Sequence, residues 1–132
     1  MTIFTKIING EIPCYKIYED ELVFAFLDIN PINPGHTLIV PKVEVDKIYD
    51  LDESYYQAIF KAAKKISKAI ESATKALRVC AWVEGFEVPH AHYHICPFYN
   101  ESGEFWSKLG SPISKEEMLD MQTNVTKYLA II

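Results

Sequence analysis

The chain has 132 residues, 49% of them hydrophobic and 23% charged, and its 13 basic and 18 acidic side chains give a net charge of −5. This length and balance fit one globular domain and exclude a disordered chain or two ordinary domains. The acidic balance also excludes a non-specific nucleic-acid binder, so an anionic ligand has to be held by local geometry.

Cys14, Cys80 and Cys96 are odd in number and widely spaced, which indicates neither a zinc knuckle nor a disulfide framework. The N-terminus lacks a signal-peptide core, and no apolar run approaches the roughly 20 residues of a membrane span. The expected setting is a reducing cytoplasm with no membrane partner.

In chain order, Thr2 is placed to cap a short helix presenting Ile3, Phe4 and Ile7. Tyr15 to Tyr18 and Leu22 to Leu27 are short, aromatic and β-branched runs around Glu19-Asp20-Glu21, the pattern of a hairpin. Two Asn-Pro steps and Gly35 impose a loop after Asp28, and His36 to Val40 is a third strand closed by Pro41. From Asp52 to about Lys75 apolar residues recur every three or four positions, marking the longest helix. Lys61, Lys64, Lys65 and Lys68 lie off its apolar stripe as a solvated face.

Leu77 to Val83 and His90 to Phe98 complete the strands. Residues 99–112 are a polar connection, in which Phe105 and Trp106 either fold over a ligand or dock on the core. Ser114 and Glu117 form a capping box for a last helix carrying Met118, Met121, Val125 and Leu129. The class is α+β: an antiparallel five-stranded sheet with the long and the terminal helix on one face.

Three of the four histidines fall within five residues, His90-Ala91-His92-Tyr93-His94. On a strand these three side chains share one face at Cα spacings of about 6.6 Å, while Ala91, Tyr93 and Ile95 face the core. Three readings follow from the residues alone. The imidazoles are structural, each needing partners for two ring nitrogens. Alternatively they hold a metal, with Glu87 within reach. In the third, one attacks an electron-poor centre while its neighbours orient it and move a proton.

The stretch Val88-Pro89-His90-Ala91-His92-Tyr93-His94-Ile95-Cys96-Pro97 resembles the histidine-triad (HIT) motif, alternating histidine with apolar residues. Upstream, Gly10-Glu11-Ile12-Pro13, Tyr18-Glu19-Asp20, Phe26-Leu27-Asp28-Ile29 and Pro34-Gly35-His36-Thr37-Leu38-Ile39-Val40-Pro41-Lys42 are similar, in order, to the Hint-like branch of that family. The resemblance covers residues 3–98 closely and the extension 99–132 more loosely, so residues 1–132 are expected to form a single domain.

The resemblance implies an enzyme that cleaves a nucleoside monophosphate from its leaving group. The bond broken would be a phosphoramidate, an aminoacyl-adenylate or a dinucleoside polyphosphate. His92 would attack the α-phosphorus to form a nucleotidyl-histidine, with His94 on the phosphate and leaving atom. His90 and His36 match positions that orient the nucleophile from behind. Asp28 matches a ribose-binding acid, against the plainer reading of a turn cap. Ile3, Phe4, Ile7, Phe26 and Leu27 correspond to a slot for the base, or are ordinary core. The implied partners are a purine nucleotide and a second copy of the chain, joined edge to edge near residues 52–83. No cofactor is implied.

The chain departs from that pattern in places. Val79 and Cys80 stand where asparagine is expected, Phe86 replaces glutamine beside Gly85, and Glu87 stands where some members have serine. Thr2 and Thr5 occupy the places of zinc-binding cysteines, so no structural zinc is expected. Cys96 lines the site or is a buried thiol. These departures keep alive a non-catalytic nucleotide-binding scaffold as an alternative, and a metal-dependent protein as a third.

Overall fold

Residues 1–100 and 110–132 are described by a computed structural model. Phe105 and Trp106 lie outside the described residues. The elements are α1 (Ile3–Ile8), β1 (Lys16–Glu19), β2 (Val23–Leu27), β3 (Thr37–Pro41), α2 (Glu53–Thr74), β4 (Arg78–Val83), β5 (Tyr93–Phe98) and α3 (Lys115–Leu129). A single 3-10 turn, Ile48–Asp50, precedes α2.

The strands form one antiparallel sheet in the order β1-β2-β3-β5-β4. The β1–β2 turn is fixed by Asp20, whose carboxylate accepts hydrogen bonds from the Leu22 and Val23 amides at 2.8 and 2.9 Å. The chain then runs through β3 and, after α2, returns through β4 to β5, so β5 lies inside the sheet and β4 at its edge.

Period-two alternation divides the sheet into two faces. Val23, Ala25, Leu27, Ile39, Ala91 and Ile95 pack beneath α2, against Ile59, Ala63, Ile66 and Ile70, with Met118 and Val125 of α3 in the same core. Phe24, Phe26, Leu38 and Val40 point the other way and meet Phe4 and Ile7 of α1. The expectation that the long and terminal helices share one face holds, but α1 covers the opposite face, which is the histidine side. Leu27 is thereby corrected: its side chain belongs to the α2 core, because its neighbour Phe26 takes the α1 side.

The helix termini follow the sequence signals. The Thr2 hydroxyl accepts from the Thr5 amide, and Ser114 and Glu117 complete the capping box of α3. α2 ends at Lys75, which takes the left-handed conformation (φ 57°) that closes a helix. The α2 lysines are exposed, as a solvated face requires. No helix among the described residues is long and apolar enough to cross a membrane.

β5 starts later than the sequence suggests, at Tyr93 instead of His90. In the β3–β5 register Ile39 faces Tyr93, so Ala91 would face Pro41. Proline has no amide hydrogen to give, and the ladder stops there. The Ala91 amide turns to the Val45 carbonyl instead, at 2.7 Å.

Candidate active site

Leaving the ladder does not scatter the imidazoles. The rings of His90 and His92 both meet the edge of Phe4, at centroid distances of 5.6 and 5.0 Å. His92 is 4.9 Å from His94, and His94 is 5.2 Å from His36 of β3. All four histidines therefore form one continuous row, walled at one end by α1. At the other end Trp82 of β4 stacks on His94 at 4.9 Å with parallel planes, facing it directly across the strand pair.

The hydrogen-bond partners determine where each proton sits. A carbonyl oxygen only accepts, so a ring nitrogen bonded to it carries hydrogen. His92 Nδ1 donates to the His90 carbonyl at 2.8 Å, which leaves Nε2 with an unshared electron pair. His90 Nε2 donates to the Pro41 carbonyl at 2.8 Å, and its Nδ1 accepts from the Thr2 hydroxyl at 2.7 Å. The Ile32 amide donates to His36 Nδ1, His36 Nε2 donates to His94 Nδ1 at 3.0 Å, and His94 Nε2 donates to the Glu84 carbonyl at 3.0 Å.

Burial keeps the supporting rings neutral. Desolvation lowers the pKa of His36 to about 4 and that of His94 to about 4, the Glu84 carbonyl opposing the shift at His94. Desolvation likewise lowers His90, opposed by the Pro41 carbonyl and Glu44. Each loses more by charging in a dry site than it gains from its neighbours.

This arrangement refines the expected roles. The His90 backbone carbonyl accepts from His92 Nδ1, while its ring bonds to Thr2 and Pro41. His36, expected to orient the nucleophile from behind, gives its Nε2 hydrogen to His94 Nδ1. Asp28 sits at the mouth of the β2–β3 loop with its Oδ2 3.8 Å from His36 Nδ1. Its Oδ1 accepts from the Asn30 amide, so it does cap the turn, yet one oxygen is left toward the site. Burial raises its pKa, offset by that amide and by the nearby His94 and His92. Phe4, Ile7 and Phe26 gather into the small apolar cluster beside the histidines. Ile3 is 48% exposed and borders a separate cavity of about 420 Å³ with Val88 and Pro89. Cys96 is wholly buried.

His92 opens on a cavity of about 320 Å³ bounded by Lys47, Tyr49, Glu84, Gly85 and Phe86. The loop after β4 lies directly on His92. A Cβ built on Gly85 would stand 2.8 Å from His92 Nε2 and would overlap Cε1. Phe86 is 96% exposed at the rim.

Sequence reasoning missed Trp82, Thr2 as a partner of His90, and Glu44, which accepts from the Thr5 hydroxyl at 2.7 Å and from the Thr2 amide. The alternation of β4 against the triad was the available signal for Trp82. Nothing local in the sequence ties Thr2 to residue 90.

Among the described residues no group of three or more histidine, cysteine, aspartate or glutamate side chains is arranged to hold a metal. Thr2 and Thr5, which stand where the resemblance puts zinc-binding cysteines in other members, are hydrogen-bonded to His90 and Glu44.

The fold and the row define a sheet protein whose site brings four imidazoles together, with Nε2 of His92 turned to the cavity beside Gly85. Residues 9–101 match the HIT domain family. The adenosine 5′-monophosphoramidase of Schizosaccharomyces pombe is 38% identical over 120 residues, covering 88% of this chain and 89% of the relative. The hit protein of Bacillus subtilis is 35% identical over 136 residues, covering 97% and 94%. The crystal structure of a hypothetical histidine triad nucleotide-binding protein from Sulfolobus tokodaii superposes with a TM-score of 0.87 at 29% identity, covering 97% of this chain and 91% of that one. The chain belongs to the HIT family.

Proposed function

We propose that this protein is a nucleotide hydrolase or transferase that releases a nucleoside monophosphate from an amine, acyl or phosphate leaving group through a covalent intermediate on His92. The observation that carries this reading is the tautomer of His92: its Nδ1 hydrogen is committed to the His90 carbonyl, and Nε2 is left as a nucleophile. The fission-yeast relative is an adenosine 5′-monophosphoramidase, which supports a purine nucleoside phosphoramidate as substrate.

His92 Nε2 attacks the α-phosphorus as the bond to the leaving group breaks, and the departing atom takes up a proton from solvent water. His94 Nε2–H transfers its hydrogen bond from the Glu84 carbonyl to a phosphate oxygen, with His36 holding the ring from behind. Water then breaks the nitrogen–phosphorus bond, which is weak once the imidazole is protonated. Asp28 accepts from the ribose hydroxyls, and the base lies against the apolar wall that includes Phe4, Ile7 and Phe26.

Residues 1–132 act as one domain, in a cytoplasmic setting, and pair through the free edge of the sheet. The support for pairing is that β4 is an edge strand flanked by exposed Tyr56, Phe60, Leu77 and Val83.

Adenosine 5′-phosphoramidate assayed with wild type and with His92→Ala tests the reading. Release of adenosine monophosphate falls at least about a thousandfold in the variant, while calorimetry shows adenosine monophosphate still bound. Turnover surviving the substitution contradicts the mechanism. Binding without turnover in the wild type, across phosphoramidate, adenylate and dinucleoside substrates, marks a non-catalytic scaffold.

A further inference from the structure

Two of the three cysteines, outside the catalytic reading, face each other. In the β4–β5 register Cys80 is the direct partner of Cys96, one residue pair removed on the same face from Trp82 and His94. Facing residues of antiparallel strands have Cα atoms about 4.5 or 5.5 Å apart, and their side chains emerge on the same side of the sheet. Both spacings fall within the roughly 4.4–6.8 Å that a disulfide spans. Both residues are thiols in this structure. Cys80 is half-buried with its side chain on the Trp82 face of β4, not along the backbone edge proposed for pairing, whereas Cys96 is wholly buried.

We propose that Cys80 and Cys96 form a peroxide-sensitive thiol pair that closes into a cross-strand disulfide beside the histidine row. The Cys80 sulfur, as thiolate, attacks one oxygen of hydrogen peroxide. The O–O bond breaks, one water leaves after proton uptake, and Cys80 becomes a sulfenic acid. The Cys96 sulfur attacks the Cys80 sulfur, forming the S–S bond as the S–O bond breaks and the second water leaves. The two thiols lose two electrons and two protons, and one peroxide becomes two waters. Cys14 lies before β1 and has no place in this step.

The site consequence rests on the function proposed above. The bridge fixes the β4–β5 spacing next to the Trp82–His94 stack, so His94 is the group that feels it. Turnover falls on oxidation and returns with dithiothreitol.

The test treats the full chain with hydrogen peroxide, blocks remaining thiols with an alkylating reagent under denaturing conditions, and maps the peptides. The expected result is a loss of two of the three thiols, a mass lower by two hydrogens, and a dithiothreitol-sensitive link between the Cys80 and Cys96 peptides within one chain. The Cys14→Ser variant shows the same link, and Cys80→Ser and Cys96→Ser do not. Three thiols remaining, Cys80 over-oxidised without a link, or links only between chains would overturn the proposal. These results are read from covalent chemistry, so they decide the thiol pair even if no nucleotide is turned over. A formed disulfide with unchanged turnover removes the site consequence alone.

Discussion

Gly85 is the residue where a single methyl group tests the site most sharply. Its backbone lies against the Cε1–Nε2 edge of His92, and an alanine Cβ there overlaps the ring. Either the imidazole tilts or the loop retreats, and displacement of a reacting group by about 1 Å costs up to about a hundredfold in rate. Gly85→Ala is expected to lower turnover at least about tenfold while leaving the urea midpoint close to wild type. A rate equal to wild type would show that the loop does not take this position during the reaction.

At the same scale, Thr2 caps α1 and satisfies the buried His90 ring. Thr2→Val removes both functions and leaves a buried acceptor unpaired. The expected cost is about 1–3 kcal/mol in urea unfolding, together with lower turnover. Thr2→Ser keeps the hydroxyl and is expected to restore both. Failure of serine to rescue would mean the methyl group, and not the hydrogen bond, matters.

At the scale of elements, hydrophobic periodicity and capping residues were sufficient for the sheet hairpin, the long helix and the terminal helix, because those signals are local. Ser114 and Glu117 stand three apart and bond as that spacing requires. Ser114→Ala is expected to cost about 1 kcal/mol in equilibrium unfolding, and no change would show that α3 is held by packing of Met118 and Val125 alone.

What local signals did not carry was the effect of one strand on another. The start of β5 depends on Pro41, about 50 residues earlier, having no hydrogen to donate across the ladder. The placement of α1 on the histidine face depends on Phe4 meeting Phe26, His90 and His92, contacts invisible until the chain is folded. The gathering of the histidines was legible because three imidazoles in alternation on one chain segment share a side. Their division of labour was not, since the carbonyl under His92 and the partner of His36 are set by backbone geometry.

Across the whole molecule, the depressed histidines make stability depend on acidity. His36 and His94 titrate near 4 when folded but near 6.5 when unfolded, so between these values the unfolded chain binds more protons. Their contribution is fully present above about pH 6.5 and is lost as the pH falls toward 4, with a slope of up to about 1.4 kcal/mol per pH unit for each group. Asp28, raised by burial, works in the opposite sense at the acid end. Urea midpoints between pH 7.5 and 4.5 are expected to decline steadily, and a His36→Asn, His94→Asn pair to flatten the curve. A flat wild-type curve would mean the rings charge freely and are not dry.

The most direct test of the central claim follows the nucleophile itself. Wild-type protein is mixed with adenosine 5′-phosphoramidate, quenched in base on the millisecond scale, and digested for mass spectrometry. The account predicts a transient adenylyl group, stable to base and labile to acid, on the peptide at His92. Rapid release of adenosine monophosphate with no adduct at any time, or with the adduct on another residue, would contradict it.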